Sequence, residues 1–433
     1  MKETAPNRKK ALPVIIYFEK DDQAAAEFLN LIKSADYLVV SPVKNNLQRV
    51  DAKTFVGKGF VQRLEAIQRE LEIDTILISK NISATQQRNL QKILRCDVLD
   101  WTGLILDIFS KRARSFEGRM QVELAQLRYM STRLIKGWTH LERQKGGHGL
   151  RGGPGETQLE IDRRLLTVRI KQVNEKLRKI KSQRARSGDA RRRVGTPTVA
   201  LVGYTNAGKS TLFNALTDEK SYTADQLFAT LDTTTRLLSE SNSEQMVISD
   251  TVGFIRNLPP TLIAAFRATL EETSQAQLLL HVVDADDSAH LDHISEVEKV
   301  LDQIGASGIP VIIVYNKIDR CVDNRERAQR DPHGEIISVR VSAVTGAGIE
   351  MLVSAINEKI SGKKQFLTVR LEPSQGKLRS LLYEWKAVSN ERVLENGDFL
   401  MRLGLNSREL RILDNLEVSE SLRFAPDTGT SLT

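Results

Sequence analysis

A chain of 433 residues, 40% hydrophobic and 5% aromatic, is too long for one core, which stops growing at about 250–300 residues, and too apolar for a disordered or fibrous polymer. Its two cysteines, Cys96 and Cys321, form no C-x-x-C pair, which excludes a disulfide framework and a thiolate metal site and points to a reducing cytoplasm. The net charge of +8 is local: between Lys111 and Gly195 there are 23 Lys and Arg against 8 Asp and Glu, and the remainder is acidic on balance.

The basic start Arg8-Lys9-Lys10 and the apolar stretch Leu12 to Phe18 imitate a secretion signal, but that stretch is short and runs into Glu19-Lys20-Asp21-Asp22. It reads as a buried first strand. No run reaches the roughly 18 apolar residues of a membrane helix, so no membrane anchor is expected. Residues 1–110 alternate strand-like runs (Val14 to Phe18, Tyr37 to Val43, Thr75 to Ser79, Asp97 to Leu99) with amphipathic stretches such as Phe60-Val61-x-x-Leu64-x-x-Ile67. The alternation predicts a parallel α/β subdomain. Within it, Val56-Gly57-Lys58-Gly59 reads as a helix start with a surface lysine, or as a weak second anion site.

From about Ser115 the period becomes helical, with Met120, Leu124, Leu127 and Leu134 on one stripe. After a break, Leu159, Leu166, Ile170, Val173, Leu177 and Ile180 form a second seam of threes and fours. Residues 111–190 should therefore form an antiparallel helical hairpin, its second helix projecting roughly 35 Å from the body at ~1.5 Å per residue. The tip, Gly146-Gly147-His148-Gly149-Leu150-Arg151-Gly152-Gly153-Pro154-Gly155, holds six glycines in ten residues, which favours a contact loop ordered by a partner over a linker without a role. The basic surplus suits nucleic-acid phosphates, of RNA or DNA, better than a merely solvated face.

Residues 191–197 read as a linker. Residues 198–361 follow with strands at Thr198 to Val202, Met246 to Ser249, Leu278 to Val283, Val311 to Tyr315 and Ile336 to Val341, a doubly wound sheet that binds ligand at the carboxyl ends of its strands. Residues 365–433 look like a small α+β domain, with a disordered tail from Ala425.

The first strand of that sheet leads into Gly203-Tyr204-Thr205-Asn206-Ala207-Gly208-Lys209-Ser210, a phosphate loop between strand and helix. Backbone amides face phosphate oxygens there, Lys209 reaches the outer phosphates and Ser210 binds magnesium. Asp250-Thr251-Val252-Gly253 ends a strand, so that Asp250 can hold magnesium directly or through water while the Gly253 amide meets the γ-phosphate. Asn316-Lys317-Ile318-Asp319 decides the base, because the Asp319 carboxylate matches guanine's N1–H and N2 amine and adenine offers no such donor pair. Asn316 would brace the loop, the Lys317 stem would cover the base, and the main chain at Ser342-Ala343-Val344 would meet guanine O6. A switch threonine must lie in Phe228-Ala229-Thr230-Leu231-Asp232-Thr233-Thr234-Thr235, and spacing alone leaves four candidates. Phe254 stands where many small GTPases have the glutamine that orients water. Asn206 fits two roles, a carboxamide ligand to a potassium ion or a turn-stabilising residue.

With these residues stand Asp100-x-Thr102-Gly103-Leu104-Ile105-Leu106-Asp107-Ile108-Phe109, Arg112-Ala113-Arg114, Gln121-Val122-Glu123-Leu124-Ala125-Gln126-Leu127 and Gly153-Pro154-Gly155-Glu156-Thr157-Gln158-Leu159-Glu160. Together with Thr205-Asn206 and Phe228 to Asp232 they make the sequence closely resemble the HflX family of bacterial ribosome-associated GTPases, over most of its length. The resemblance implies that Thr230 is the switch threonine, with Phe228, Ala229, Leu231 and Asp232 around the nucleotide. It implies a catalytic set of Lys209, Thr230, Gly253 and Asn206, and Mg2+ held by Ser210 and Thr230. It further implies a cytoplasmic protein, monomeric off the ribosome, that binds GTP and GDP and docks on the 50S subunit and its rRNA through tip residues Gly147, Gly149, Arg151, Gly152 and Gly153. Hydrolysis stimulated there would accompany splitting of stalled 70S ribosomes under stress. Trp101, where arginine is common, and Thr233, where proline is common, depart from the family pattern. The alternative reading is an RNA-binding factor for subunit maturation that uses GTP only as an occupancy switch.

Overall fold

The computed structural model describes residues 9–17, 22–135, 158–194, 196–217, 227–228, 230–231, 234–238, 246–256, 259, 262, 273–361, 365–385, 387–405, 409, 413 and 425–426. They fall into two compact units, residues 1–324 with 342–345, and residues 325–341 with 346–433. The architecture is multidomain α/β, with a phosphate-loop sheet in the middle of the sequence.

The first unit begins with β1 (Lys10–Tyr17), buried on both faces as a central parallel strand must be. α1 (Asp22–Ser34) follows. Where one strand is expected from Tyr37 to Val43, two short ones occur, β2 (Leu38–Val39) and β3 (Val43–Asn46), both parallel to β1. Pro42 lies between them and has no amide hydrogen to extend the ladder. α2 (Lys58–Leu71) starts at Gly57 with no side-chain cap, and Lys58 is exposed, so the Gly57-Lys58-Gly59 turn is a helix start. β4 (Thr75–Ile78), α3 (Ala84–Leu94), β5 (Asp97–Leu99) and α4 (Trp101–Arg112) complete a parallel sheet in the order β2-β1-β4-β5, with β3 also on β1. Ser83 and Gln86 close a capping box on α3.

α5 (Phe116–Ile135) and α6 (Gln158–Val194) pair in opposite directions: Glu123 binds Arg169 at 2.6 Å, and further along α5 Arg133 shares a groove with Asp162. The pair is not a free arm along α5. That helix has a second apolar face, on which Val122 and Ala125 join the core containing Ile105 and Phe109 of α4. Near its far end, the Tyr129 hydroxyl and the Arg133 guanidinium donate to the fully buried Asp100 carboxylate at 2.7 and 2.5 Å. α6 continues past Ser187-Gly188 through Arg191–Arg193, where the sequence suggests a linker, because nothing there forbids helical backbone before Pro197.

The second sheet contains β6 (Thr198–Gly203), β7 (Thr234–Leu238), β8 (Met246–Asp250), β9 (Leu278–Asp284) and β10 (Val311–Asn316). In the first unit its order is β10-β9-β6-β8-β7, parallel except for β7. The chain leaves β6 toward opposite neighbours, β8 and β9, so β6 ends at a topological switch point where ligands bind. α7 (Lys209–Thr217) follows that point, and α8 (His290–Gln303) covers the sheet near β6 and β9.

The second unit pairs β11 (Arg327–Arg330) with β12 (Ile336–Arg340), and Arg330 forks onto Glu358 of α9 (Ile349–Ser361) at 2.7 and 2.8 Å. Its antiparallel sheet comprises β13 (Gln365–Leu371), β14 (Val388–Val393), β15 (Phe399–Leu405) and β16 (Ala425–Pro426), in the order β14-β15-β13-β16. α10 (Gly376–Glu384) sends Leu382 into a core with Val369, Met401 and Leu403. Ala425, where disorder is expected to begin, pairs with Thr368. Among the described residues, no helix is long and apolar enough to cross a membrane.

Candidate functional site

The turn from β6 into α7 is shaped by steric necessity. Gly203 has φ 150, and a Cβ there would lie 2.2 Å from the Val282 carbonyl oxygen; Gly208 has φ 89, and its Cβ would lie 2.3 Å from Asn316 Nδ2. Only glycine fits either place. Asn206, at φ 63, takes the left-handed backbone that asparagine tolerates, which suits the turn-stabilising role, and the residue also lines the cavity.

Asn316 ends β10 and ties two loops together. Its Nδ2 donates to the Ala207 carbonyl at 3.0 Å, and its Oδ1 accepts from the Ala343 amide at 3.0 Å. Beside it, Lys317 adopts φ 65 and its Nζ binds Asp284 at 2.7 Å, which aligns the lysine stem along the cavity wall. The Ser342 hydroxyl donates to Asp319 Oδ1 at 2.5 Å and fixes the carboxylate.

At the opposite end, Ser210 Oγ and Thr230 Oγ1 lie 2.7 Å apart, and they donate to Asp250 Oδ2 at 2.8 and 2.9 Å. Asp250 Oδ1 is buried and has no hydrogen-bond partner among the described residues. Two hydroxyls and a buried carboxylate with an unmatched oxygen form an oxygen donor set that fits a hard divalent cation such as magnesium. Burial raises the Asp250 pKa against the lowering effect of Lys209. Lys209 is also buried, and this pulls its pKa down to about 8. Its Nζ donates to the carbonyls of Gly203 and Tyr204 at 3.0 and 2.7 Å. Gly253 packs closely here, since a Cβ would meet Thr205 Cγ2 at 2.8 Å and Lys209 Nζ at 3.1 Å. Phe254 is 2% exposed and turned into the core.

These groups surround one cavity of about 250 Å³. Thr205, Asn206, Gly208, Lys209, Ser210, Phe228, Thr230, Thr251, Gly253, Asn316, Lys317, Asp319, Ala343 and Val344 line it. Gly203, Tyr204, Ala207, Leu231, Asp250, Val252, Ile318 and Ser342 do not; they stand behind the wall, and Leu231 and Ile318 are core residues. Ala229 and Asp232, and the tip residues Gly147, Gly149, Arg151, Gly152 and Gly153, lie outside the described residues. Sequence reasoning missed Thr211 and Arg320, although each directly follows a motif residue in the chain.

Below the loop, His281 of β9 is 3% exposed, and burial, with Lys209 adding to it, pulls its pKa down to about 4. The folded chain keeps this ring neutral while the unfolded chain protonates it near pH 6.5. Its stabilising contribution is therefore complete above pH 6.5 and is lost as pH falls through 4, an effect of about 3 kcal/mol. Thermal unfolding of His281→Leu between pH 7 and 4 should show an acid loss smaller by about that amount; parallel profiles would contradict it.

Four family models match in succession: "GTP-binding GTPase N-terminal" at residues 22–110, "GTP-binding GTPase Middle Region" at 112–191, "50S ribosome-binding GTPase" at 198–317 and "HflX C-terminal domain" at 327–418. GTPase HflX of Escherichia coli (strain K12) is 47% identical over 397 residues, covering 91% of this chain and 93% of the relative. GTPase HflX of Chlamydia pneumoniae is 39% identical over 428 residues, covering 95% and 88%. Among solved structures, the SsGBP and GDP complex shares 26% identity at a TM-score of 0.47, covering 80% of this chain and 97% of that one.

Proposed function

Since the chain belongs to the HflX family of GTPases, we propose that it binds the large ribosomal subunit, hydrolyses GTP under stimulation there, and splits or rescues stalled 70S ribosomes under stress. The observation that supports its nucleotide step best is the double hydrogen bond of Asn316. One carboxamide holds the phosphate loop at Ala207 and the base loop at Ala343, so the two ends of a guanine nucleotide meet a frame already aligned.

In that frame Asp319 accepts from the guanine N1–H and amine, Ala343 presents its main chain to O6, and Lys317 lies along the base. Lys209 turns from two carbonyls to the phosphates, whose charge stabilises the protonated state that burial disfavours. Ser210 and Thr230 would hold magnesium with Asp250 behind them, and the ion, when bound, supplies neutralising charge to the phosphate oxygens. A potassium ion held by the Asn206 carboxamide belongs to the same proposal. Phe254 has no group to orient water, so that task passes to the main chain around Gly253 and to a stimulating partner.

The surplus of positive charge between Lys111 and Gly195 supports rRNA as the docking surface, with the tip residues Gly147, Gly149, Arg151, Gly152 and Gly153 as contacts. Light scattering of 70S particles tests the whole. GTP with the intact chain should lower the signal as subunits separate, and a chain lacking residues 146–155 should bind GDP normally yet leave the signal unchanged. Particles that stay intact with the full chain would favour the maturation-factor reading.

A further inference from the structure

Tyr204 is expected among the nucleotide contacts, yet its side chain stands outside the phosphate cavity and is 8% exposed. Its hydroxyl accepts the Arg256 amide hydrogen at 2.7 Å and donates to the Glu27 carboxylate of α1. The direction is fixed by chemistry: an amide N–H only donates and an ionised carboxylate only accepts, so the phenol's own proton goes to Glu27. Burial and the Glu27 charge push the phenol pKa far up, and the proton stays on it. The ring stacks on His293 of α8, with centroids 3.8 Å apart and planes 12° from parallel. The His293 ring is held in turn by Asp287 at 2.9 Å.

The chain that Tyr204 grips passes directly under the catalytic cavity. Phe254 donates its amide to the Gly203 carbonyl at 3.1 Å and accepts from the Thr205 amide at 2.8 Å. With the Arg256 bond, residues 254–256 are fastened to the phosphate loop at three points, of which only the third uses a side chain. Because Phe254 offers no polar group, the place of the attacking water depends on how well this main chain is held. A small displacement of a reacting group costs much of the rate.

We propose that Tyr204 is a positioning residue for GTP hydrolysis, fastening the main chain after Gly253 to the phosphate loop through a hydroxyl whose proton Glu27 of the amino-terminal subdomain directs. The proposal rests on reading Asp250 to Gly253 as the γ-phosphate segment. The same subdomain also grips the segment before Thr230. Ser34 accepts the Leu227 amide hydrogen at 3.0 Å, and the Phe109 and Phe228 rings meet edge to face at 4.7 Å. A force that shifts α1 therefore reaches both the segment after Gly253 and the segment before Thr230.

The test uses the full chain and compares GTP turnover with the affinity for a fluorescent GDP. Tyr204→Phe keeps the ring and its stack on His293 while removing the hydroxyl. It should lower kcat about tenfold, with KM and GDP affinity within about twofold of wild type. Glu27→Ala should lose a similar factor, the double variant should be no slower than Tyr204→Phe, and Glu27→Gln, which keeps an acceptor, should recover most of the rate. Unchanged or faster turnover in Tyr204→Phe, multiplying losses in the double variant, or a matching fall in GDP affinity would each overturn the proposal. An Asp319→Asn chain assayed in parallel separates the two readings: if it keeps guanine preference, the site assignment fails, and if it behaves as expected while Tyr204→Phe is normal, only the positioning role fails.

Discussion

Asp319→Asn is expected to weaken GTP and GDP binding about a hundredfold to a thousandfold and to strengthen binding of xanthosine triphosphate. The carboxylate accepts from two guanine donors at once, and losing a matched, charge-assisted pair in a partly buried site is among the larger penalties a binding site can suffer. Asparagine would set its amide hydrogens against guanine's exocyclic amine, donor against donor. Xanthine carries a carbonyl at that carbon and accepts what guanine cannot, while its N1–H still meets the asparagine oxygen. The Ser342 hydroxyl, 2.5 Å from Asp319 Oδ1, can donate equally to the asparagine oxygen, so the side chain should keep its orientation. Competition of the two triphosphates against a fluorescent GDP measures the ratio, and an unaltered preference would mean that Asp319 does not read the base.

Lys209→Met is expected to move function and stability in opposite directions. The ammonium is buried and its pKa is pulled to about 8, well under the ~10.4 of an exposed lysine. At neutral pH the folded chain therefore keeps a charge at a cost of about 3 kcal/mol relative to the unfolded chain. Between pH 8 and 10.4 the unfolded chain binds the proton that the folded chain releases, so wild-type stability should rise with pH across that window and the variant's should not. Methionine fills similar volume without charge, although it leaves the carbonyls of Gly203 and Tyr204 without their donor, which offsets part of the gain. Without nucleotide, Lys209→Met should be more stable by up to about 2 kcal/mol. Its affinity for GTP should fall more than about a hundredfold, since the phosphates lose their cation. Calorimetric unfolding and nucleotide titration of the two chains check both halves; a variant less stable at pH 7 would show that the two carbonyl bonds outweigh desolvation.

The parts of the site legible in the sequence are those whose chemistry constrains residue type at fixed spacing. Gly203 and Gly208 are forced by close approach, and the Asn316 and Asp319 side chains serve acceptor and donor patterns that few residues match. What stayed hidden depends on distance along the chain. Glu27 and Ser34 meet Tyr204 and Leu227 across 177 and 193 residues, and no local period encodes such a meeting. β7 is absent from the strands read in the sequence because Thr234-Thr235-Arg236 shows no apolar alternation. As the edge of its sheet in the first unit, it is held by main-chain bonds to β8 that need none. The docking of α5 was missed for the opposite reason. Its second apolar face, Val122 and Ala125, is too short to register as a stripe beside the longer one.

α6 runs unbroken for 37 residues, from Gln158 to Val194, almost to β6. A continuous α-helix converts length into angle, about 100° and 1.5 Å for each residue. One residue inserted near its carboxyl end would turn the tip-proximal helix face a quarter-circle away from α5, whereas seven would bring it round to within about 20° while lengthening the helix by about 10 Å. Because α5 is fastened to the subdomain at Asp100, and that subdomain is fastened to the phosphate loop at Tyr204, the helix closes a mechanical loop. Its length is therefore a phase condition: insertions of 7, 11 or 18 residues return the face to within about 20°, and other short insertions turn it away.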